Sequence, residues 1–276
     1  MPTSRAVILL GMHRSGTSAI ARGLAALGIH MGNEFLEAQP ENPTGYWEDK
    51  GIVDINERVF NALGVRWDST SAIDAGALAG RRLRALRREA IRYCARTFGN
   101  QTPWGFKDPR TMRVLPFWQS VFSALCAADA YVVAVRHPRS VAASLFVRQQ
   151  MPEEAAYLLW LRYTVPFLSA LLAKPMVVLD YDCMMREPQA QLLRIAKRLR
   201  LPSPDERELE NFAGEFLDER LRHTAYEPTD ALGDSPIARL TQQAYSQLFE
   251  AAVDRRSPYA AAFWRDWEIL AAALPP

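Results

Sequence analysis

Four short stretches of this chain carry chemically informative side chains, and the first three are suited to gripping negative charge. The first is Gly11-Met12-His13-Arg14-Ser15-Gly16-Thr17-Ser18, where one guanidinium and three hydroxyls sit around two glycines. The second is Lys107-Asp108, with Arg110 close behind. The third is Arg136-His137-Pro138, followed by Ser144, and the fourth is Asp180-Tyr181-Asp182. A glycine-framed loop leaves backbone N–H groups exposed, and a helix opening beyond it adds partial positive charge. Arginine binds phosphate-like groups as a planar fork, and a serine hydroxyl can complete such a site. Two separate anion sites on one sheet edge therefore point to a ligand with two separated anionic groups.

These residues must be positioned by strands and helices. Ala6 to Leu10 is an apolar run ending at Gly11, and Ala19 to Leu27 has helical spacing. Strand, glycine loop and helix form the context in which a phosphate cradle is credible. The spacing from Gly11 to Gly16 matches a nucleotide-binding P-loop, but Thr17 stands where a Walker loop needs lysine. The cation comes earlier, as Arg14, so the expected ligand is anionic without being the β/γ-phosphates of ATP or GTP. Asp108 and Asp180 match a magnesium-binding strand end only imperfectly, which leaves an atypical P-loop kinase or NTPase as the alternative enzyme. A degenerate, non-catalytic nucleotide binder is the alternative outside enzymes.

Further strands are expected at Trp104–Asp108, Tyr131–Val135 and Met176–Leu179. The run 131–135 is apolar throughout, as in a parallel sheet buried on both faces. Helices are expected over 51–63, 78–98, 138–150, 152–172 and 188–201, with more helix between 235 and 267. Pro138 suits a first helical position. Asn33 to Trp47 reads as a long irregular loop, a kind that is commonly functional. Strands alternating with helices predict an α/β fold: a three-layer, doubly wound, mainly parallel sheet with a P-loop-like first unit. No compositional break divides the chain, so residues 1–276 are expected to form one domain with a helical portion from about 205. Ligands in such sheets sit beyond the C-terminal strand ends, where all four charged stretches fall.

Composition narrows the classes. Lys plus Arg number 33 against 31 Asp plus Glu, a net charge of +2, which argues against a dedicated nucleic-acid binder. Hydrophobic residues make up 49%, enough for a sizeable core. Cys94, Cys126 and Cys183 are dispersed without metal-ligand spacing and read as reduced core thiols; no metal site is expected. The first apolar run is interrupted too early for a signal peptide, and none is long enough to span a membrane, which points to a cytoplasmic protein. Oligomeric state is not readable. Seven arginines between Arg81 and Arg96 line one helix; a solvated face is the simpler reading, an anionic docking patch the sharper one.

On these motifs the chain resembles the sulfotransferases that use 3′-phosphoadenosine 5′-phosphosulfate (PAPS). Gly11 to Ser18 is similar to their 5′-phosphosulfate loop, with Arg14 in the place of the cytosolic branch's lysine, as in bacterial and Golgi-type members. Arg136-x-Pro138 with Ser144 is similar to their 3′-phosphate motif, and Tyr181 to Pro188 to a segment after the fourth strand. The resemblance covers residues 5 to about 200. The cytosolic enzymes' glycine-rich C-terminal loop has no counterpart, unless Arg220-Leu221-Arg222-His223 replaces it.

The resemblance implies in-line sulfuryl transfer to a hydroxyl or amine of a glycan, lipid or small metabolite, yielding adenosine 3′,5′-bisphosphate. It implies cofactor binding by Arg14, Ser15, Gly16, Thr17, Ser18, Arg136 and Ser144, with Arg14 and Lys107 as catalytic cations. A general base is expected. Glu48 is the first candidate, with Asp49, Glu34 and Asp108 as rivals. His13 either faces the acceptor or makes a structural hydrogen bond, and His137 packs or caps. Tyr46, Trp47, Trp67, Trp104 and Trp118 either line an acceptor pocket or belong to the core.

Overall fold

The apolar runs form one parallel sheet. The chain passes through β1 (Arg5–Leu10), α1 (Thr17–Ala26), α2 (Lys50–Leu63), α3 (Ala75–Ala79), α4 (Arg84–Phe98), β2 (Trp104–Lys107) and α5 (Leu115–Ala124). It continues through β3 (Ala128–Val135), α6 (Pro138–Gln149), α7 (Glu153–Thr164), β4 (Met176–Asp180), α8 (Tyr181–Arg186) and α9 (Pro188–Arg198). The last helices are α10 (Glu206–Asn211), α11 (Pro236–Ala252) and α12 (Ala261–Ala272). This computed structural model describes residues 4–39, 45–216, 224 and 226–275. The expected replacement loop at Arg220 to His223 lies outside the described residues, as do Pro40 and Pro43 of the long loop.

The strand order is β2-β1-β3-β4, and every pairing is parallel. Alternation along each strand divides the core in two. Ala6, Ile8 and Leu10 pack with Val133, Phe106 and residues of α2, α4, α5, α7 and α11. Val7 and Leu9 pack on the other face with Val132, Leu179 and residues of α1, α9 and α10. Helices thus cover both faces, which is the expected three-layer α/β architecture. From β1 the chain crosses to β2 on one side, and from β3 to β4 on the other. The crevice between the C-terminal ends of β1 and β3 is therefore the topological switch point, where such sheets bind ligands.

Several helices are more broken than periodicity predicts. The expected helix over 78–98 is α3, a 3-10 turn at Arg81–Leu83, and α4, because Gly80 is extended (φ −63°, ψ 164°). The expected helix over 152–172 ends as α7 at Thr164, and a separate 3-10 turn covers Leu168–Leu171. Pro166 lacks an N–H and its ring crowds the carbonyl four residues back, so the helix stops before it. The span 235–267 divides into α11 and α12 around a turn holding Asp254 at φ 58°. Cys94 and Cys183 are buried, but Cys126 is exposed at the turn after α5, which corrects its reading as a core thiol. On the arginine-rich segment, Arg81, Arg82, Arg84, Arg88, Arg92 and Arg96 are exposed, while Arg87 donates to the Leu78 carbonyl and lies over the Phe117 ring.

Candidate active site

The loop after β1 is a cradle held open by left-handed backbone. Arg14 has φ 67° and Gly16 has φ 74°. Gly16 is the N-cap of α1 and supplies no side-chain cap, so the first N–H groups of that helix receive no side-chain acceptor there. A Cβ on Gly16 would lie 1.9 Å from the Tyr181 ring, so only glycine fits. The helix begins at Thr17 rather than Ala19, which places Thr17 and Ser18 in its first turn. Ser15 Oγ is buried and has no hydrogen-bond partner among the described residues. A buried hydroxyl of this kind in a helix-N-terminal loop fits an anion that would accept from it.

Arg136, at the end of β3, meets this loop directly. One of its Nη atoms donates to the Arg14 carbonyl at 3.3 Å and the other to the Thr224 carbonyl at 3.2 Å. Its guanidinium lies 4.7 Å above the Tyr181 ring. Ser144, on the first turns of α6, accepts from Arg14 Nε at 2.7 Å. With its oxygen receiving that bond, the Ser144 proton can be donated elsewhere. Arg14, Arg136 and Ser144 thus form one cluster at the switch point. Tyr181, singled out by sequence only within the stretch at the end of β4, lies beneath Arg136 and so belongs to it.

Glu48 and Lys107 are a buried ion pair. Lys107 Nζ donates to Glu48 Oε1 at 2.6 Å and to the Tyr46 carbonyl at 2.8 Å, and lies 3.4 Å from Ser18 Oγ. Ser18 Oγ itself donates to the Tyr46 carbonyl at 3.1 Å, which pins the end of the long loop over the first turn of α1. Burial raises the Glu48 carboxyl above the ordinary carboxylate range, and Lys107 pulls it part of the way back. Arg110 Nη1 is 3.6 Å from Glu48, 2.8 Å from Asp108, and its Nε is 2.6 Å from Glu57. Arg110, expected as a second anion-binding cation, is therefore largely neutralised by carboxylates.

The rival bases have structural duties. Asp49 caps α2, accepting from Gly51 and Ile52 N–H, and receives Tyr93 OH at 2.5 Å. Asp108 accepts from Arg110 N–H and from Asn56 at 2.8 Å. Glu34 is exposed. Asp180 caps α8 and receives the Tyr245 hydroxyl at 3.3 Å, and burial raises its pKa. Both imperfect magnesium candidates, Asp108 and Asp180, are thus occupied as caps. Among the described residues no cluster of three or more His, Cys, Asp or Glu side chains is placed to hold a metal ion. Among the described residues no helix is long and apolar enough to cross a membrane.

His137 caps α6, its Nδ1 accepting from Arg139 N–H, and packs against Tyr226 and Tyr245. His13 packs on Trp67 (ring centroids 4.6 Å apart) and Tyr163 (5.6 Å). Its Nε2 is buried without a hydrogen-bond partner among the described residues, in place of the structural bond considered above. Burial, then the charges of Arg110, Lys107, Arg148 and Arg14, hold its pKa well below the ordinary imidazole value. Two of these cations, Lys107 and Arg110, are themselves paired with Glu48, Glu57 and Asp108. Of the expected aromatics, Trp104 and Trp118 are core. Trp67 faces His13, with the Arg148 guanidinium 5.9 Å from its ring centre.

No protein-family model matches the chain, and no curated protein matches it. Among solved structures, the sulfotransferase domain from the Synechococcus PCC 7002 olefin synthase matches at 16% identity over 99% of this chain and 95% of that one, with a TM-score of 0.46. At that identity and TM-score the likeness carries no functional weight.

Proposed function

We propose that this chain is a PAPS-dependent sulfotransferase, a single domain that transfers a sulfuryl group to a hydroxyl or amine of a glycan, lipid or small metabolite. The observation that carries the reading is the 2.7 Å bond from Arg14 Nε to Ser144 Oγ, with Arg136 bound to the same loop's carbonyl. It brings the two cationic segments, after β1 and β3, together at the switch point of the sheet, which supports a ligand with two anionic groups. The Thr17 position lacks the lysine that nucleoside triphosphates require, which favours a shorter 5′ anion.

Bound there, the donor would supply an activated sulfuryl group. The residues of the chain would do the rest by positioning and electrostatics. Arg14, Ser15 and the N–H groups at the start of α1 would hold the 5′ oxygens, with Gly16 admitting close approach and Thr17 and Ser18 forming the first turn. Arg136 and Ser144 would grip the 3′-phosphate, and Tyr181 holds Arg136 in place. Lys107, fixed by Glu48, brings positive charge to the first turn of α1.

Calorimetric titration tests the reading. Adenosine 3′,5′-bisphosphate is expected to bind, and more tightly than ATP with magnesium. Tight ATP binding with none of the bisphosphate would overturn it. Bisphosphate binding without transfer of labelled sulfate to any hydroxylated acceptor would favour a non-catalytic binder.

A further inference from the structure

We propose that His13, from within the anion loop, takes the proton of the attacking acceptor and does so only when the donor's anion is present. The inference rests on the sulfuryl-transfer reading above. Its first support is geometric. Buried polar atoms nearly always find partners, and His13 Nε2 has none among the described residues. It lies between the two glycines of the loop, one residue from Arg14, against the Trp67 and Tyr163 rings. Its second support is elimination on the same site: the Glu48 carboxylate is held by Lys107 and approached by Arg110, and Asp49 and Asp108 serve as caps.

The charged groups that act electrostatically on His13 are Arg14 from its own loop, Lys107 at the end of β2, Arg110 beyond it, and Arg148 from α6. Tyr163 contributes the phenol of α7. Burial first, and these cations after it, keep the imidazole neutral, so a lone pair is available, but they oppose its protonation. An anion arriving in the loop offsets the cations and removes their share of that opposition. In the step itself, the acceptor oxygen or nitrogen forms its bond to sulfur. The bond from sulfur to the bridging 5′-phosphate oxygen breaks, leaving its electron pair on the phosphate. The acceptor's proton moves to His13 and returns to solvent on product release.

The test is imidazole NMR on the parent protein, which has four histidines, with His13→Gln used to assign the His13 signals. Signals are followed between about pH 4.5 and 8 with and without adenosine 3′,5′-bisphosphate. Without it, His13 is expected to titrate below the ordinary imidazole range. With it, the midpoint is expected to rise by about one unit or more. His13→Gln is expected to keep bisphosphate affinity by calorimetry and lose about 100-fold or more in turnover. A bound bisphosphate that leaves the His13 midpoint unmoved overturns the proposal while the sulfotransferase reading stands. So does a His13→Gln protein that turns over at the parent rate. Absence of bisphosphate binding overturns both.

Discussion

Glu48→Gln separates the structural role of a buried ion pair from the chemistry beside it. Lys107 is 2% exposed and Glu48 5%, and their contact is 2.6 Å. Removing one partner of such a pair leaves a buried charge uncompensated, at a cost of about 3–5 kcal/mol. The lower end applies, because Lys107 keeps the Tyr46 carbonyl at 2.8 Å and glutamine still offers it an oxygen. An unfolding entropy of about 2 cal/mol/K per residue over 276 residues gives roughly 0.6 kcal/mol/K, so about 3 kcal/mol lowers Tm by about 5 °C. The assay is thermal unfolding of the parent, Glu48→Gln, Lys107→Met and the double variant. In the double variant no charge is stranded, and its Tm is expected to recover most of the loss. Activity follows a different course: both single variants disturb the first turn of α1 through Ser18 and Tyr46, so turnover and bisphosphate affinity fall together. An unchanged Tm in Glu48→Gln, or single-variant losses that simply add in the double, would refute the coupling. A loss of turnover with unchanged Tm and affinity would return the base role to Glu48.

Gly16→Ala forces a left-handed alanine at φ 74° and a Cβ into the Tyr181 ring, so a loss of about 2 kcal/mol or more is expected by denaturant titration, with weaker bisphosphate binding. A neutral outcome would mean the loop is not held as described. Arg136→Ala removes a charged donor to the proposed 3′-phosphate, and bisphosphate affinity is expected to drop about tenfold or more. Unchanged affinity in calorimetry would count against that assignment. The depressed His13 pKa makes a pH prediction. Below about pH 6.5 the unfolded chain takes up a proton that the folded chain does not, so the parent loses stability relative to His13→Gln as pH falls. Denaturant midpoints of the two proteins at several pH values check this, and a constant difference would contradict it.

The local features of the site are legible along the chain because their causes are local. The apolar run before Gly11 has no polar side chain to place in solvent, so it becomes a strand buried on both faces. Gly11 and Gly16 frame an anion loop because only glycine suits their backbone and close contacts, and Arg14, Arg136 and Ser144 declare a preference for anions by residue type. Pro166 announces a helix end that periodicity alone carries through. What only the tertiary structure decided is which of these groups share charge. Arg14 and Ser144 are 130 residues apart, and Glu48 and Lys107 are 59 apart. Both contacts depend on the strand order β2-β1-β3-β4, which sets the ends of β1 and β3 side by side and turns Lys107 under the first turn of α1. Whether Glu48 is a free base or half of an ion pair, and whether His13 is a surface imidazole or one packed on Trp67 and Tyr163, follows from burial and distance. Neither quantity is a property of a residue and its neighbours in sequence; both exist only once the sheet has assembled.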